Sequence, residues 1–306
     1  MSYRSDKILS LSGYNLDNKT AKGLQNLFKR VLNEGMHGLC FSPYGEGQEP
    51  GDQLTERQIK RRLKIIKPYT KWVRSFSCTE GNELIPKIAK EMGMKTLVGA
   101  WLGNEPNINV KEIEGLKKLA NEGFVDIAAV GNEVMYRGDL SEAELVDFIY
   151  NVKEDVNVPV GYVDAYYEFA HRPKITEACD IILANCYPYW EGCSIDYSLI
   201  YMKDMYNTAL KAGNGKKVII TETGWPSEGE GLNGAFPSSE NAIKYFINAQ
   251  LWSQEENIDI FYFSSFDESW KVGAEGDVGA YWGIWDKNEK PKFFTKPLSL
   301  KNKIFT

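Results

Sequence analysis

The stretch VIITETGWPSEGEG, Val218 to Gly231, carries a short apolar run almost directly into a glutamate. Val218, Ile219 and Ile220 are β-branched and uninterrupted by polar residues, which suits a fully buried strand. Glu222 stands where the run ends, and Gly224, Trp225 and Pro226 follow it. A strand is a stiff support, so a carboxylate at its end is held more firmly than one on a loop. Pro226 presets the turn that leads the chain away.

Comparable runs recur along the chain. HGLCFSPY near Gly38, KWVRSFSC near Val73, MKTLVGAWL near Leu97, VDIAAVGNEV near Ala128, VPVGYVDAYY near Val160 and CDIILANCYPYW near Ile182 precede it, and IDIFYFSSFDESW near Phe261 follows. Helical patterns fill the intervals. TAKGLQNLFKRVLNEG sets Leu24, Leu27, Phe28, Val31 and Leu32 on one face and stops at Gly35. LTERQIKRRLKIIKP opens with Thr55 and Gln58 at capping-box spacing and ends at Pro68. SEAELVDFIYNVKE opens with Ser141 and Glu144 in the same relation, NELIPKIAKEMG closes on Gly93, and SSENAIKYFINAQLWSQEE is again amphipathic. Eight strand–helix alternations in 306 residues, with no linker or low-complexity tract, predict an α/β fold: one (β/α)8 TIM barrel spanning residues 1–306. The rival, a doubly wound open sheet, wants a glycine-rich phosphate turn after an early strand. SPYGEGQEPG has glycines there but not the GxGxxG spacing.

Composition narrows the function. The net charge of -6 disfavours nucleic acid, whose phosphates call for a basic face. The five cysteines are odd in number and lack CxxC spacing, so they read as inert thiols rather than a disulfide framework or zinc site. Two histidines are too few for a His-rich metal centre. No segment reads as a membrane span or a signal peptide, which fits an intracellular chain or an exported one whose signal has been removed. A monomer is expected, with no cofactor or metal.

A barrel places its active site where the strands end at their C-terminal side. Those ends collect Tyr44, Arg74, Trp101, Asn132 with Glu133, and Asp164 with Tyr166 and Tyr167 beyond it. They continue with Asn185, Tyr187, Tyr189 and Trp190, then Glu222 and Trp225, then Phe266, Glu268 and Trp270. A strand-end glutamate is commonly a solvated loop charge, and a strand-end tryptophan commonly packs. Together, aromatic faces, carboxylates and amides suit a pyranose, which offers C–H faces and a ring of hydroxyls. Glu133 and Glu222 end the fourth and seventh strands, which face each other across a closed eight-stranded barrel. Glycoside cleavage needs such a pair, one carboxyl protonated and one ionised.

These motifs resemble glycoside hydrolase family 17, the β-1,3-glucanase family of clan A. GNEV and ETGWPS carry the resemblance most strongly, with NCYPYW and FDESWK in support and VRSFSC and GAYWGIWDKNEKPKF more loosely. It covers about Gly38 to Phe293. It implies a retaining double displacement, endo-acting, on laminarin-type β-glucan polysaccharide or oligosaccharide, with Glu222 as nucleophile and Glu133 as general acid and then base. Asn132 would bind the sugar 2-hydroxyl, Tyr187 and Arg74 would steady Glu222, and Glu268 and Lys271 would form an auxiliary charge pair. Tyr44, Trp101, Tyr189, Trp190, Trp225, Phe266 and Trp270 are the remaining candidate substrate contacts.

The first-strand loop SPYGEGQEPG is closer to microbial than to plant members. Glu105, after the third strand, is an added acid for which no chemical role is expected. Three rivals remain: a glucanosyltransferase using the same intermediate, a non-catalytic glucan-binding barrel, and another clan A hydrolase acting on cellulose or mannan.

Overall fold

A computed structural model describes residues 13–294 of the chain, apart from 15 and 17. Its eight strands are β1 (Met36–Cys40), β2 (Thr70–Ser75), β3 (Lys95–Ala100), β4 (Ile127–Asn132), β5 (Val160–Ala165), β6 (Ile181–Asn185), β7 (Val218–Thr223) and β8 (Ile260–Tyr262). Every neighbouring pair is parallel, and β1 pairs with both β2 and β8, which closes the barrel. The expected (β/α)8 architecture is therefore the one observed. The strands are buried almost throughout, which is why they read as continuous apolar runs rather than alternating ones.

The helices lie where the periodicity put them. Helix α1 (Ala21–Glu34) buries Leu24, Phe28, Val31 and Leu32 and ends at Gly35, whose φ is 89°. Burying each such side chain contributes roughly 1.5–3 kcal/mol. In α2 (Glu56–Ile66) Thr55 caps the amide of Gln58, but the box is only half formed. The Gln58 side chain instead donates to Pro43 O at 2.7 Å and Gln48 Oε1 at 2.6 Å, tying down the loop after β1. Helices α3 (Leu84–Glu91) and α4 (Pro106–Asn121) follow, then a single turn, α5 (Val134–Arg137). Helix α6 (Glu142–Asp155) has the complete Ser141–Glu144 capping box. Next come α7 (Glu168–His171), α8 (Pro173–Ala178), α9 (Ser198–Gly213), α10 (Ser239–Glu256) and α11 (Val272–Glu275). Among the described residues, no helix is long and apolar enough to cross a membrane.

Two strands break the regular register, and they are the two that carry the glutamates. Between Ala129 and Asn132, β4 uses one residue more than β5 does between Gly161 and Val163. Between Ile220 and Glu222, β7 inserts Thr221 opposite the Ala184–Asn185 step of β6. Such bulges re-aim the side chains that follow them. The glycines of both motifs fit these bends. Gly131 has φ 82°, and a Cβ there would meet Val134 Cγ2 at 2.9 Å. A Cβ at Gly224 would lie 2.1 Å from Phe263 O, so only glycine lets β7 end this close to β8.

Candidate active site

The strand ends open into a cleft of about 550 Å³ whose lining includes Glu133, Asn185, Tyr187, Trp190, Glu222, Glu275 and Trp282. Both glutamates share it, as their positions on β4 and β7 require.

Glu222 is 7% exposed and held at both oxygens. Arg74 Nη1, from β2, donates to Oε1 at 2.5 Å, and the Tyr187 hydroxyl donates to Oε2 at 2.8 Å. Arg74 is itself buried at 2% exposure, so a charged partner is what makes its burial tolerable. Its second nitrogen donates to Asn132 Oδ1 at 2.7 Å. One guanidinium thus fixes both the carboxylate at the end of β7 and the amide at the end of β4. The planar fork of arginine suits such double duty.

Glu133 has different company. Its Oε1 accepts from Asn185 Nδ2 at 2.9 Å, and Asn185 Oδ1 accepts from Thr221 Oγ1 at 3.0 Å. The inserted residue of β7 therefore orients the amide that orients Glu133. Burial is the main cause that raises the Glu133 pKa, to about 7, and the like charge of Glu222 adds to it. The Asn185 hydrogen bond and Arg74 pull the other way. The backbone of Glu133 is left-handed, φ 53° and ψ 29°, a conformation uncommon for a residue with a side chain.

The auxiliary pair is present. Lys271 Nζ lies 3.4 Å from Glu268 Oε2 and 4.1 Å from the centroid of the Phe263 ring, which lines the cleft. Burial favours loss of the lysine's proton, but Glu268, Glu275 and Glu222 outweigh it and hold the pKa above the ordinary value.

Three expected sugar contacts are corrected. Trp225 is 1% exposed, wedged against Tyr189 and Tyr245, with its indole N–H on Phe236 O. Tyr189 is equally buried, and its hydroxyl donates to Glu230 O. Phe266 is fully buried beneath the Arg62 guanidinium and beside Trp285. These rings brace the loops behind the cleft. Trp190, by contrast, is 40% exposed and faces the cleft, its ring tilted by 41° against Trp282 at 5.6 Å. Trp270 is half-buried and meets the largely buried Tyr44 edge-on at 6.0 Å, to the β8–β1 side. Trp101 is exposed under the Arg137 guanidinium, outside the cleft lining. Glu105 is exposed at the start of α4 and also outside it.

Sequence reasoning gave no site role to Asn185, Tyr136, Tyr166, Tyr167, Phe263, Glu275 or Trp282, all of which line the cleft. Asn185, Tyr166 and Tyr167 stood in plain view at strand ends. Glu275 and Trp282 sit in the C-terminal connection after β8, where no strand pattern marks them.

The BtgE/BtgC glycoside hydrolase domain matches residues 38–283. The family 17 β-1,3-glucanosyltransferase of Rhizomucor miehei superposes with a TM-score of 0.77 at 31% identity, covering 86% of this chain and 98% of that one. The chain belongs to glycoside hydrolase family 17. This family 17 chain also resembles the glucan 1,3-beta-glucosidase of Arthroderma benhamiae, at 28% identity over 83% of this chain and 89% of the relative. The glucan 1,3-beta-glucosidase of Schizosaccharomyces pombe is likewise 28% identical, over 76% of this chain and 78% of its own length.

Proposed function

We propose that the enzyme cleaves β-1,3-glucan with retention of configuration, using Glu222 as nucleophile and Glu133 as general acid and base. The observation that carries the reading is the unequal pair: two glutamates in one cleft, one on a guanidinium and a phenol, the other on a neutral amide. Glu133 gives its proton to the glycosidic oxygen as a Glu222 oxygen bonds to the anomeric carbon, and the leaving chain departs as an alcohol. Glu133, now ionised, takes a proton from water, and that water's oxygen displaces Glu222. Arg74 and Tyr187 keep Glu222 aimed, and Asn132, turned by Arg74, donates to the 2-hydroxyl.

The substrate class rests on the relatives. Both fungal glucosidases act on 1,3-β-glucan by name, and an active-site mutant of the Rhizomucor enzyme, 30% identical, holds laminaritriose. Trp190, Tyr166 and Tyr167 line the cleft with the glutamates, and Trp270 packs against Tyr44 after β1, an aromatic spread that supports cleavage of internal bonds. The aromatic crowding beside Glu133 also favours a second reading, transfer to an incoming sugar held where the leaving chain was.

The test is a time course on laminari-oligosaccharides of defined length, with proton NMR of the first product anomer. Shorter oligosaccharides born as β-anomers are expected. Products longer than the substrate assign the transferase. First-formed α-anomers rule out the double displacement, and an untouched substrate removes the glucan assignment.

A further inference from the structure

Beneath Glu133 lies a carboxylate that the reaction as described does not use. Asp164, on β5, has no exposed surface. It accepts hydrogen bonds from the Tyr162 hydroxyl, from the Ala165 amide at 2.7 Å and from the Tyr136 amide at 3.3 Å. No cation pairs with it among the described residues. The Tyr162 hydroxyl also accepts from the Met135 amide at 2.9 Å, and Val163 O accepts from the Glu133 amide at 2.8 Å. Three of the four amides from Glu133 to Tyr136, those of Glu133, Met135 and Tyr136, are thus pinned to β5 at the point where the backbone turns left-handed. Strain of this kind persists only where the surroundings over-determine it.

We propose that Asp164 and Tyr162 are positioning residues for the acid: they clamp the one-turn helix that Glu133 caps and hold a second, buried carboxylate near it. The inference rests on the reading of Glu133 as general acid. A buried, hydrogen-bonded charge is weakly screened, so it favours the protonated form of a carboxyl beside it. The groups that face Glu133 are Glu222 from β7, Arg74 from β2, Tyr187 after β6 and Asp164 from β5. Those that act on the clamp are Glu168 from α7 and Arg137 from α5. Arg74 opposes the effect, and Glu222 and Asp164 share it. Glu222 must stay ionised to attack, yet Asp164 takes no part in the bond changes, so its charge is free to serve the acid alone.

The experiment is the pH profile of kcat/KM for Asp164→Asn on a laminari-oligosaccharide, beside a dinitrophenyl glucoside whose leaving group needs no acid. Removing the charge makes Glu133 lose its proton more easily. The alkaline limb is therefore expected to move down by about half a pH unit or more, with the acidic plateau kept and the dinitrophenyl substrate little affected. An unmoved limb in a folded Asp164→Asn protein overturns the proposal, as does an equal loss at every pH on both substrates. If Asp164→Asn does not fold, Tyr162→Phe tests the other half of the clamp. It is expected to slow the oligosaccharide more than the dinitrophenyl substrate, and equal loss on the two overturns the proposal. Glu133→Gln is the control for the underlying reading. If it keeps the alkaline limb, the acid assignment itself has failed; if it loses the limb while Asp164→Asn leaves it in place, only the clamp has failed.

Discussion

The end of β4 and the end of β7 carry the same residue after the same kind of bulge, yet they surround it differently. At β7 the carboxyl meets a guanidinium at 2.5 Å and a phenol at 2.8 Å, both of them donors. At β4 it meets one neutral amide, and two further carboxylates, Glu222 and Asp164, act on it from nearby. Environments that set two carboxyls apart assign their roles. The lesson is that the motifs supply the two carboxyls, while residues from β2, β5 and β6 give them unlike surroundings.

The sharpest way to break this contrast is to neutralise the β7 member. Glu222→Gln is expected to lower turnover of laminari-oligosaccharides by roughly 10⁴-fold or more, while calorimetry still detects their binding. A variant with near wild-type turnover removes Glu222 as nucleophile. The β4 member is expected to fail differently. Glu133→Ala should lose roughly 10²–10⁴-fold on oligosaccharides. Azide should then restore part of the rate on a dinitrophenyl glycoside and yield the β-glycosyl azide. An α-azide, or no response to azide, breaks the assigned roles. In the wild type, kcat/KM should fall as pH rises through about 7, because the proton on Glu133 is the one the leaving group needs.

The two regions were not equally legible. Both glutamates, their strands and the barrel could be read directly, because buried parallel strands leave long apolar runs and GNEV and ETGWPS stand at their ends. The pairing of Arg74 and Tyr187 with Glu222 came from the resemblance to family 17, since their places on the second and sixth runs alone do not name a partner. The surroundings of Glu133 were harder. Asn185 and Asp164 are small polar residues whose meaning depends on the barrel's curvature and on bulges that no local pattern announces. The aromatics were misread for a related reason. Trp225 and Trp190 both follow strand ends, and sequence does not say which ring turns inward to Tyr245 and which stays 40% exposed.

Stability offers a subtler probe of the same contrast. A buried carboxyl whose folded pKa is raised binds its proton more tightly in the native state. Its native state is therefore favoured below about pH 4.5 and loses that advantage as pH rises through about 7. Asp164 and Asp267, each pushed up to about 6 mainly by burial, act in the same sense. Glu133→Gln is thus expected to stabilise the protein by about 1–3 kcal/mol at pH 7.5 and by almost nothing at pH 4.5, read from denaturant midpoints. Equal stabilisation at both pH values means that packing, not charge, is responsible.

The smallest expected effect separates the two tryptophans. Trp190 offers an exposed ring to the cleft, so Trp190→Ala should raise KM for oligosaccharides by roughly 2–10-fold, the worth of one aromatic face, with kcat little changed. Trp225 has no free face and gives its indole N–H to Phe236 O. Trp225→Ala should instead open a cavity and cost roughly 3–5 kcal/mol of stability. Because that ring braces the turn directly after Glu222, kcat should fall more than KM changes. If Trp225→Ala raises KM alone and leaves stability intact, the ring does reach sugar and the structural assignment is wrong. If Trp190→Ala leaves KM untouched, then Tyr166 and Tyr167, which also line the cleft, rather than Trp190, hold the sugar beside Glu133.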